Sequence, residues 1–267
     1  MIDLHCHVLP GIDDGPATIA GSLDLARAAA AAGIDTLVAT PHVSRRYRNE
    51  AVEIARLVQE LNERLADEAV AVKVRGGAEL AVSRLAELAP SELPALRLGD
   101  GPWLLVEPSF VQPASGLEAV VADLQRAGHR VVLAHPERCM AFHRDPLLLQ
   151  ALVHAGALTS ITAGSLVGRF GEHVRRFALR LAADGLIHNV ASDAHDHLNR
   201  PPGIADELRR VGLDPLTDWL TRAVPAAILD GAEIPPRPAD AVVRIAGKRR
   251  RWWRRPGGGV GRAARSG

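Results

Sequence analysis

The sequence predicts an α/β fold, a TIM-like (β/α)7 barrel, on three observations. Seven short apolar runs, most of them unbroken, alternate with segments of helical period over about 235 residues. Glycines follow several of the helical segments, where they favour helix termination. The first predicted strand is not followed by the glycine-rich phosphate loop that a doubly wound open sheet requires. We therefore expect parallel strands that close into a barrel with one unit fewer than the usual eight.

The predicted strands and helices follow one another along the chain. The runs rich in Val, Ile and Leu predict strands in IDLHC (2–6), DTLVAT (35–40), VAVKVRGGAE (70–79), WLLVEP (103–108), RVVLAHP (130–136), LTSITAG (158–164) and LIHNVASDAH (186–195). Helices are predicted over 18–32, 50–68, 117–127, 146–155, 172–183 and 204–211. Thr18 is expected to cap the first helix, and Gly33, Gly128, Gly156, Gly185 and Gly212 to end five of the six.

Charge divides the chain into an acidic domain, 1–237, and a basic tail, 238–267, that we expect to be disordered. From Ala241 onward the chain holds nine Lys or Arg residues and no acid, so the preceding part carries a net charge of −8. The acidic domain argues against extended nucleic-acid contact, and no nucleic-acid partner is expected. The tail also contains Trp252 and Trp253 beside its arginines. Two roles of the tail stay open: a solubilising, disordered end, or weak contact with an anionic membrane face.

Three features predict a cytoplasmic protein. The chain has only two cysteines, it has no apolar run long enough to cross a membrane, and its N-terminus lacks the features of a signal peptide. Cys6 and Cys139 do not fit a cysteine phosphatase. Four residues separate Cys139 from Arg144, whereas such an enzyme needs five, and no arginine lies near Cys6. We expect Cys6 to be a buried small apolar residue.

Histidines and carboxylates stand at the ends of six of the seven predicted strands. His5 and His7 are two residues apart and therefore face the same side of the first strand. The others are His42, Glu79, Glu107, His135, Asp193 and His195, with Asp13 and Asp14 in the first loop. One strand-end histidine is usually structural, but a repeated pattern at the rim where barrel active sites form indicates a shared site. Buried carboxylates are costly unless cations compensate them, and mixed imidazole and carboxylate donors favour Zn, Mn or Fe(II).

The ordered motifs resemble a known family. The DLHCH start and the segments TPH, GAE, AHPER and SDAH are similar to the PHP family of metal-dependent phosphoesterases. More narrowly, HCHVLPGIDDG, ATPH, GAEL, AHPER, AGSLVGRFG and SDAH with a following NRP resemble the bacterial manganese-dependent tyrosine-protein phosphatases of capsular and exopolysaccharide biosynthesis. The similarity runs from Met1 to about residue 230, and the set as a whole is highly specific.

This resemblance implies a PHP-type barrel with three divalent ions, usually manganese, with iron or zinc as alternatives. The first ion is implied to bind His5, His7, Glu79 and Asp193, and the second Glu79, Glu107 and His135. The third is implied to bind Asp14, His42 and His195. Arg138 and Arg200 match family arginines that bind phosphoryl oxygens. The implied partner is a phosphotyrosyl protein, a tyrosine kinase of the inner membrane.

The chemistry that follows is a hypothesis of in-line attack on phosphotyrosine by a metal-bridging hydroxide, with Arg138 and Arg200 on the phosphoryl oxygens. Phenol leaves with a pKa of about 10, so its oxygen needs little protonation, and no general acid is assigned. Three alternatives stay open: a phosphatase for histidinol phosphate or another small molecule, a non-catalytic metal-binding regulatory module, and a nuclease. Asp13 is expected to be a loop acceptor, and Asp3 either orients a ligand histidine or is a plain strand-end acid.

Overall fold

A computed structural model describes residues 1–110 and 116–239 as an α/β fold with two parallel sheets. The first sheet has the order β1-β2-β4, and the second has the order β3-β5-β6-β7-β8-β9. The strands are β1 (Ile2–Cys6), β2 (Thr36–Ala39), β3 (His42–Val43), β4 (Lys73–Gly76), β5 (Glu79–Ala81), β6 (Trp103–Glu107), β7 (Arg130–Ala134), β8 (Leu158–Thr162) and β9 (Asn189–Ala191). Their pairings are parallel throughout, which confirms the α/β class and the parallel strands of the predicted fold.

Within the described residues, six of the ten α-helices lie close to the predicted positions. The α-helices are α1 (Ile19–Ala31), α2 (Ala51–Asp67), α3 (Val82–Leu85), α4 (Leu117–Arg126), α5 (Met140–Arg144), α6 (Pro146–His154), α7 (Ala163–Leu166), α8 (Glu172–Ala183), α9 (Ala205–Arg210) and α10 (Val224–Asp230). Thr18 caps α1 as expected, because its side chain accepts a hydrogen bond from the Gly21 N–H.

Four of the α-helices, α3, α5, α7 and α10, were not predicted from the sequence, and neither was the C-terminal π-helix (Trp219–Ala223) that runs into α10. The first three have four or five residues, which is too short for a helical period to show.

The predicted strand 70–79 is divided into β4 and β5, and an additional short strand, β3, follows the predicted strand 35–40. Nine strands therefore replace the expected seven within the described residues. Thr40 and Pro41 separate β2 from β3, because proline lacks the N–H that a continuous ladder needs. Gly77 and Ala78 separate β4 from β5. Hydrogen bonds from Thr40 N to Cys6 O (2.9 Å) and from Glu79 N to Pro41 O (3.0 Å) continue the pairing between neighbouring strands at these interruptions. The division places His42 directly opposite Glu79 in the β3–β5 register.

The first and last strands also contact each other. Asp193 N donates to His5 O, and His7 N donates to Ala194 O, both at 2.9 Å. Closure of the strands into a seven-unit barrel stays a prediction. The buried core comprises consecutive residues of the strands, as at Leu4, Leu104 and Ile161, which are fully buried, together with the inner faces of the helices.

Within the described residues, no helix combines the length and apolar character needed to cross a bilayer. The predicted disordered tail, apart from residues 238 and 239, lies outside the described residues.

Candidate metal centre

The nine side chains predicted as metal ligands converge on one site at the C-terminal ends of the strands. They form four overlapping groups, in each of which the donor atoms lie within 4.8 Å of one another. The groups are His5, His7 and Asp193; His5, Glu79 and His135; His42, Glu79 and Glu107; and His7, Asp14, His42 and His195. No other group of this kind occurs among residues 1–110 and 116–239. The parallel order of the strands thus brings together residues as far apart in sequence as His5 and His195, which are 190 positions apart.

The inner group, His5, His7 and Asp193, is buried and has spacings that suit a cation. The two Nε2 atoms are 3.3 Å apart, and each lies 3.6 Å from Asp193 Oδ1. A divalent ion bound at about 2.1 Å would hold tetrahedral ligand atoms about 3.4 Å apart, so the donor set fits a metal. Imidazole nitrogens and carboxylate oxygens in this mixture also suit Mn, Fe or Zn.

Glu79 lies at the centre of the site. Its Oε1 is 2.7 Å from His135 Nε2 and 3.4 Å from His5 Nε2. Its Oε2 is 2.9 Å from His42 Nδ1 and 3.5 Å from His7 Nε2. A single buried carboxylate therefore faces four imidazoles and can be shared between neighbouring cations.

Glu107 is farther from His135, with 3.9 Å between its Oε1 and Nε2. It groups instead with His42 and Glu79. Burial, together with the charge of Glu79, raises the pKa of Glu107 to about 7. A cation bound beside it would favour the ionised form, so metal uptake is coupled to proton release.

The outer group is the most open part of the site. Asp14 Oδ1 lies 3.4 Å from the Nε2 atoms of both His42 and His195, and its side chain is 47% exposed. These are the three residues that the resemblance implies for the third ion. The structure adds His7 to them, with its ring 3.9 Å from that of His195.

Asp13 does more than the loop-acceptor role expected of it. Its Oδ2 is 2.7 Å from His7 Nδ1 and also accepts from His42 N at 3.0 Å, while Oδ1 accepts from Gly15 N at 2.9 Å. The contact with Nδ1 leaves His7 Nε2 facing the centre. Burial opposes both charges, but this pairing lowers the pKa of Asp13 to about 2 and raises that of His7 to about 10. A Cβ at Gly15 would lie 2.4 Å from His7 O, so only glycine fits there.

Asp3 accepts hydrogen bonds from Ser192 and from the backbone N–H of His5 and, among the described residues, from no imidazole nitrogen. Its carboxylate is fully buried, and Ser192 donates to it through both N and Oγ. Of the two expected roles, orientation of an imidazole is therefore not observed. Burial raises the pKa of Asp3, and the Ser192 hydrogen bonds oppose that increase. Its contacts join β1 to the segment that carries Asp193.

Two of the predicted ligands have left-handed backbone conformations. His135 has φ 29° and Asp193 has φ 52°, values that cost a non-glycine residue about 1–3 kcal/mol. Hydrogen bonds from His135 N to Ser160 O (2.8 Å) and from Asp193 N to His5 O (2.9 Å) hold these positions. Both residues follow the end of a strand, and strained backbone conformations of this kind are common at functional sites.

Arg138 and Arg200 meet at one carboxylate oxygen. Each donates through an Nη atom to Asp193 Oδ2 at 2.8 Å, while Asp193 Oδ1 faces the two inner histidines. A guanidinium has five N–H donors, so both arginines keep donors for another anion. The arrangement places two fixed positive charges at the edge of the predicted metal ligands, a position that suits an anion.

Glu137, the residue before Arg138, is a buried acid outside the ligand set. Its Oε1 accepts from Thr162 N at 2.9 Å and from Ser165 Oγ at 2.7 Å. Burial raises its pKa from 4.5 to about 7, although those two hydrogen bonds oppose the increase. A carboxyl group whose pKa is raised on folding stabilises the native state below the unfolded pKa and loses this contribution as pH rises through the folded one.

We therefore expect the free energy of unfolding of the chelated protein to lose about 3 kcal/mol through Glu137 between about pH 4.5 and pH 7. Glu137→Gln cannot ionise and should remove that part of the pH dependence. Urea unfolding at about pH 5 and pH 8 measures the difference. The exposed Glu60→Gln is the matched control and should keep the wild-type slope. Identical pH dependence in Glu137→Gln and the wild type would contradict the assignment.

Sequence reasoning did not identify two phenylalanines and an asparagine at the site. Phe110 and Phe170 both lie against Arg138. Asn49 donates to Ile12 O (2.9 Å) and His42 O (2.8 Å), which ties the first loop to β3. Phe170 lies within the motif AGSLVGRFG, so a signal was present for it. Asn49 and Phe110 follow strand ends by several residues, where no local pattern marks them.

Comparison with known proteins identifies the family. The family described as capsular polysaccharide synthesis, CpsB/CapC, matches residues 1–214. The chain belongs to this family. Among its relatives, the tyrosine-protein phosphatase YwqE of Bacillus subtilis (strain 168) is 41% identical over 197 residues, which are 73% of this chain and 78% of that protein. The tyrosine-protein phosphatase CpsB of Streptococcus pneumoniae is 29% identical over 213 residues, 76% of this chain and 86% of that protein.

A solved structure of this family has the same architecture. A chain from the crystal structures of YwqE from Bacillus subtilis and CpsB from Streptococcus pneumoniae superposes with a TM-score of 0.80 and 36% identity. The match covers 89% of this chain and 99% of the solved one. Those two proteins are described as unique metal-dependent tyrosine phosphatases. The predicted family is therefore confirmed.

Proposed function

We propose that this chain is a metal-dependent phosphomonoesterase that hydrolyses phosphotyrosine in proteins. The observation that carries the proposal is the set of four overlapping His and carboxylate groups with two arginines on Asp193. The tyrosine-phosphatase names of the YwqE and CpsB relatives support the substrate class. The description of their structures as metal-dependent supports the chemistry.

The proposed catalytic unit is residues 1–237, closed into a seven-unit barrel by the contacts between β1 and the end of β9. The proposed cofactors are three divalent ions, manganese before iron or zinc, held by the nine residues of the four groups. The number of donors supports several ions, because the four groups hold nine side chains and one such ion takes only about four to six ligands. The proposed substrate is a phosphorylated tyrosine kinase at the membrane, and the proposed location is the cytoplasm.

Each part of the site has a role in the proposed reaction. When bound, divalent ions would lower the pKa of a water molecule and neutralise charge on the phosphoryl oxygens. Arg138 and Arg200 bind two of those oxygens through their free N–H groups and hold the phosphoryl group in line. Asp13 fixes the orientation of His7. The tyrosyl oxygen leaves with a pKa of about 10, so the absence of an assigned acid is compatible with turnover near neutral pH.

The test is hydrolysis of a phosphotyrosyl peptide after exhaustive chelation and stepwise addition of Mn²⁺. We expect the chelated protein to lose at least about 10³-fold in kcat/KM and to recover it as the sites fill. Elemental analysis in parallel gives the number of bound ions. Full turnover by the metal-free protein would reject the proposal. Faster hydrolysis of histidinol phosphate than of the peptide would favour the small-molecule alternative.

A further inference from the structure

Aromatic side chains are scarce in this chain, which makes their positions informative. The sequence has four phenylalanines, four tryptophans and one tyrosine. Two of the phenylalanines, Phe142 and Phe177, are buried in the core. The other two, Phe110 and Phe170, are only partly buried. Core packing therefore does not account for this second pair.

Phe110 and Phe170 come from different loops and meet at the same arginine. Arg138 Cζ lies 4.7 Å from the Phe110 ring centroid and 4.5 Å from that of Phe170. Phe110 follows β6, and its ring is 5.2 Å from the ring of His135. Phe170 follows α7 in the segment after β8. Both rings are thus within one side-chain length of the residues proposed to hold metal and phosphate.

The position of the rings matters for the group attached to a bound phosphate. A phosphoryl group on the free donors of Arg138 carries its ester substituent beside the rings that flank this arginine. An aromatic substituent gains offset or edge-to-face contact with a phenyl ring, which a short alkyl chain does not. The cation–π contacts with Arg138 also hold the guanidinium in place, but that effect is independent of the substituent.

We propose that Phe110 and Phe170 form an aryl-recognition wall that selects phosphotyrosine over alkyl phosphates. This inference rests on the proposed function and names the residues that set its specificity. The wall acts on the substituent of the phosphate and not on the phosphate itself. Its loss should therefore change the preference between substrates more than the rate of hydrolysis of alkyl phosphates.

The experiment compares Phe110→Ala and Phe170→Ala with the wild type, all loaded with Mn²⁺. The substrates are a phosphotyrosyl peptide and glycerol phosphate, and the quantity measured is the ratio of their kcat/KM values. We expect each substitution to lower this ratio about tenfold, mainly through KM for the peptide. Phe110→Tyr and Phe170→Tyr keep a ring and should restore the ratio. Phe177→Leu removes a buried ring elsewhere and should leave it unchanged.

Calorimetric titration with phenylphosphonate and methylphosphonate gives a readout without turnover. The wild type should bind phenylphosphonate more tightly than methylphosphonate. In both alanine variants the ratio of the two affinities should fall about tenfold. Equal losses for aryl and alkyl ligands would mean that the rings only hold Arg138, and would overturn the inference. An unchanged ratio would also overturn it. A wild-type protein that shows the aryl preference in binding but hydrolyses no aryl phosphate would instead contradict the proposed function.

Discussion

Glu79→Gln is expected to release bound metal and to lower kcat/KM for a phosphotyrosyl peptide by on the order of 10³-fold. The reason is the central position of Glu79, whose two oxygens lie between 2.7 and 3.5 Å from nitrogens of four histidines. Glutamine keeps the size and shape of the side chain but removes the one negative charge that these rings share. The loss should therefore come from the metal centre and not from a cavity.

Elemental analysis and peptide kinetics on the same preparation test this expectation. Glu137→Gln is the matched control, because it makes the same change at a buried carboxyl that bonds Thr162 and Ser165 and no histidine ring. It should keep the wild-type metal content and activity within a few fold. Thermal unfolding of both variants checks the fold. A Glu79→Gln protein with full metal content and wild-type kcat/KM would show that this carboxylate is not a shared ligand.

Arg138→Ala and Arg200→Ala should each lower kcat/KM by about 10²–10³-fold while most of the metal stays bound. Both guanidinium groups donate to Asp193 Oδ2, so they stand together beside the proposed phosphoryl position. The double variant should lose less than the product of the two single losses, because the arginines share one anion and one carboxylate. Lysine at either position should not restore activity, since it lacks the planar fork.

Steady-state kinetics of the single and double variants, with metal content measured for each, test this expectation. Arg144→Ala on α5 is the control, since that arginine is exposed and close in sequence to Arg138. It should stay within about twofold of the wild type. Loss of metal in proportion to activity would assign the arginines to support of Asp193 instead of phosphate binding.

Local residue patterns are enough to predict which side chains are candidates and on which elements they lie. Apolar runs place the strands, and because side chains alternate along a strand, His5 and His7 must face one side. Parallel strands end at a common edge, so the sequence predicts Glu79, Glu107, His135 and Asp193 at one rim. Six of the described α-helices lie close to their predicted positions for the same reason: period, caps and glycine stops are properties of neighbouring residues.

How these side chains combine depends on contacts between distant parts of the chain. The break at Pro41 and the β3–β5 register put His42 opposite Glu79. Loop conformation separates Asp13, which contacts His7, from Asp14, which belongs to the outer group with His42. The grouping of Glu107 with His42 and the two phenylalanines beside Arg138 depend on distances between different strands and loops. Such distances follow from packing across the whole chain, and no local pattern of residues encodes them.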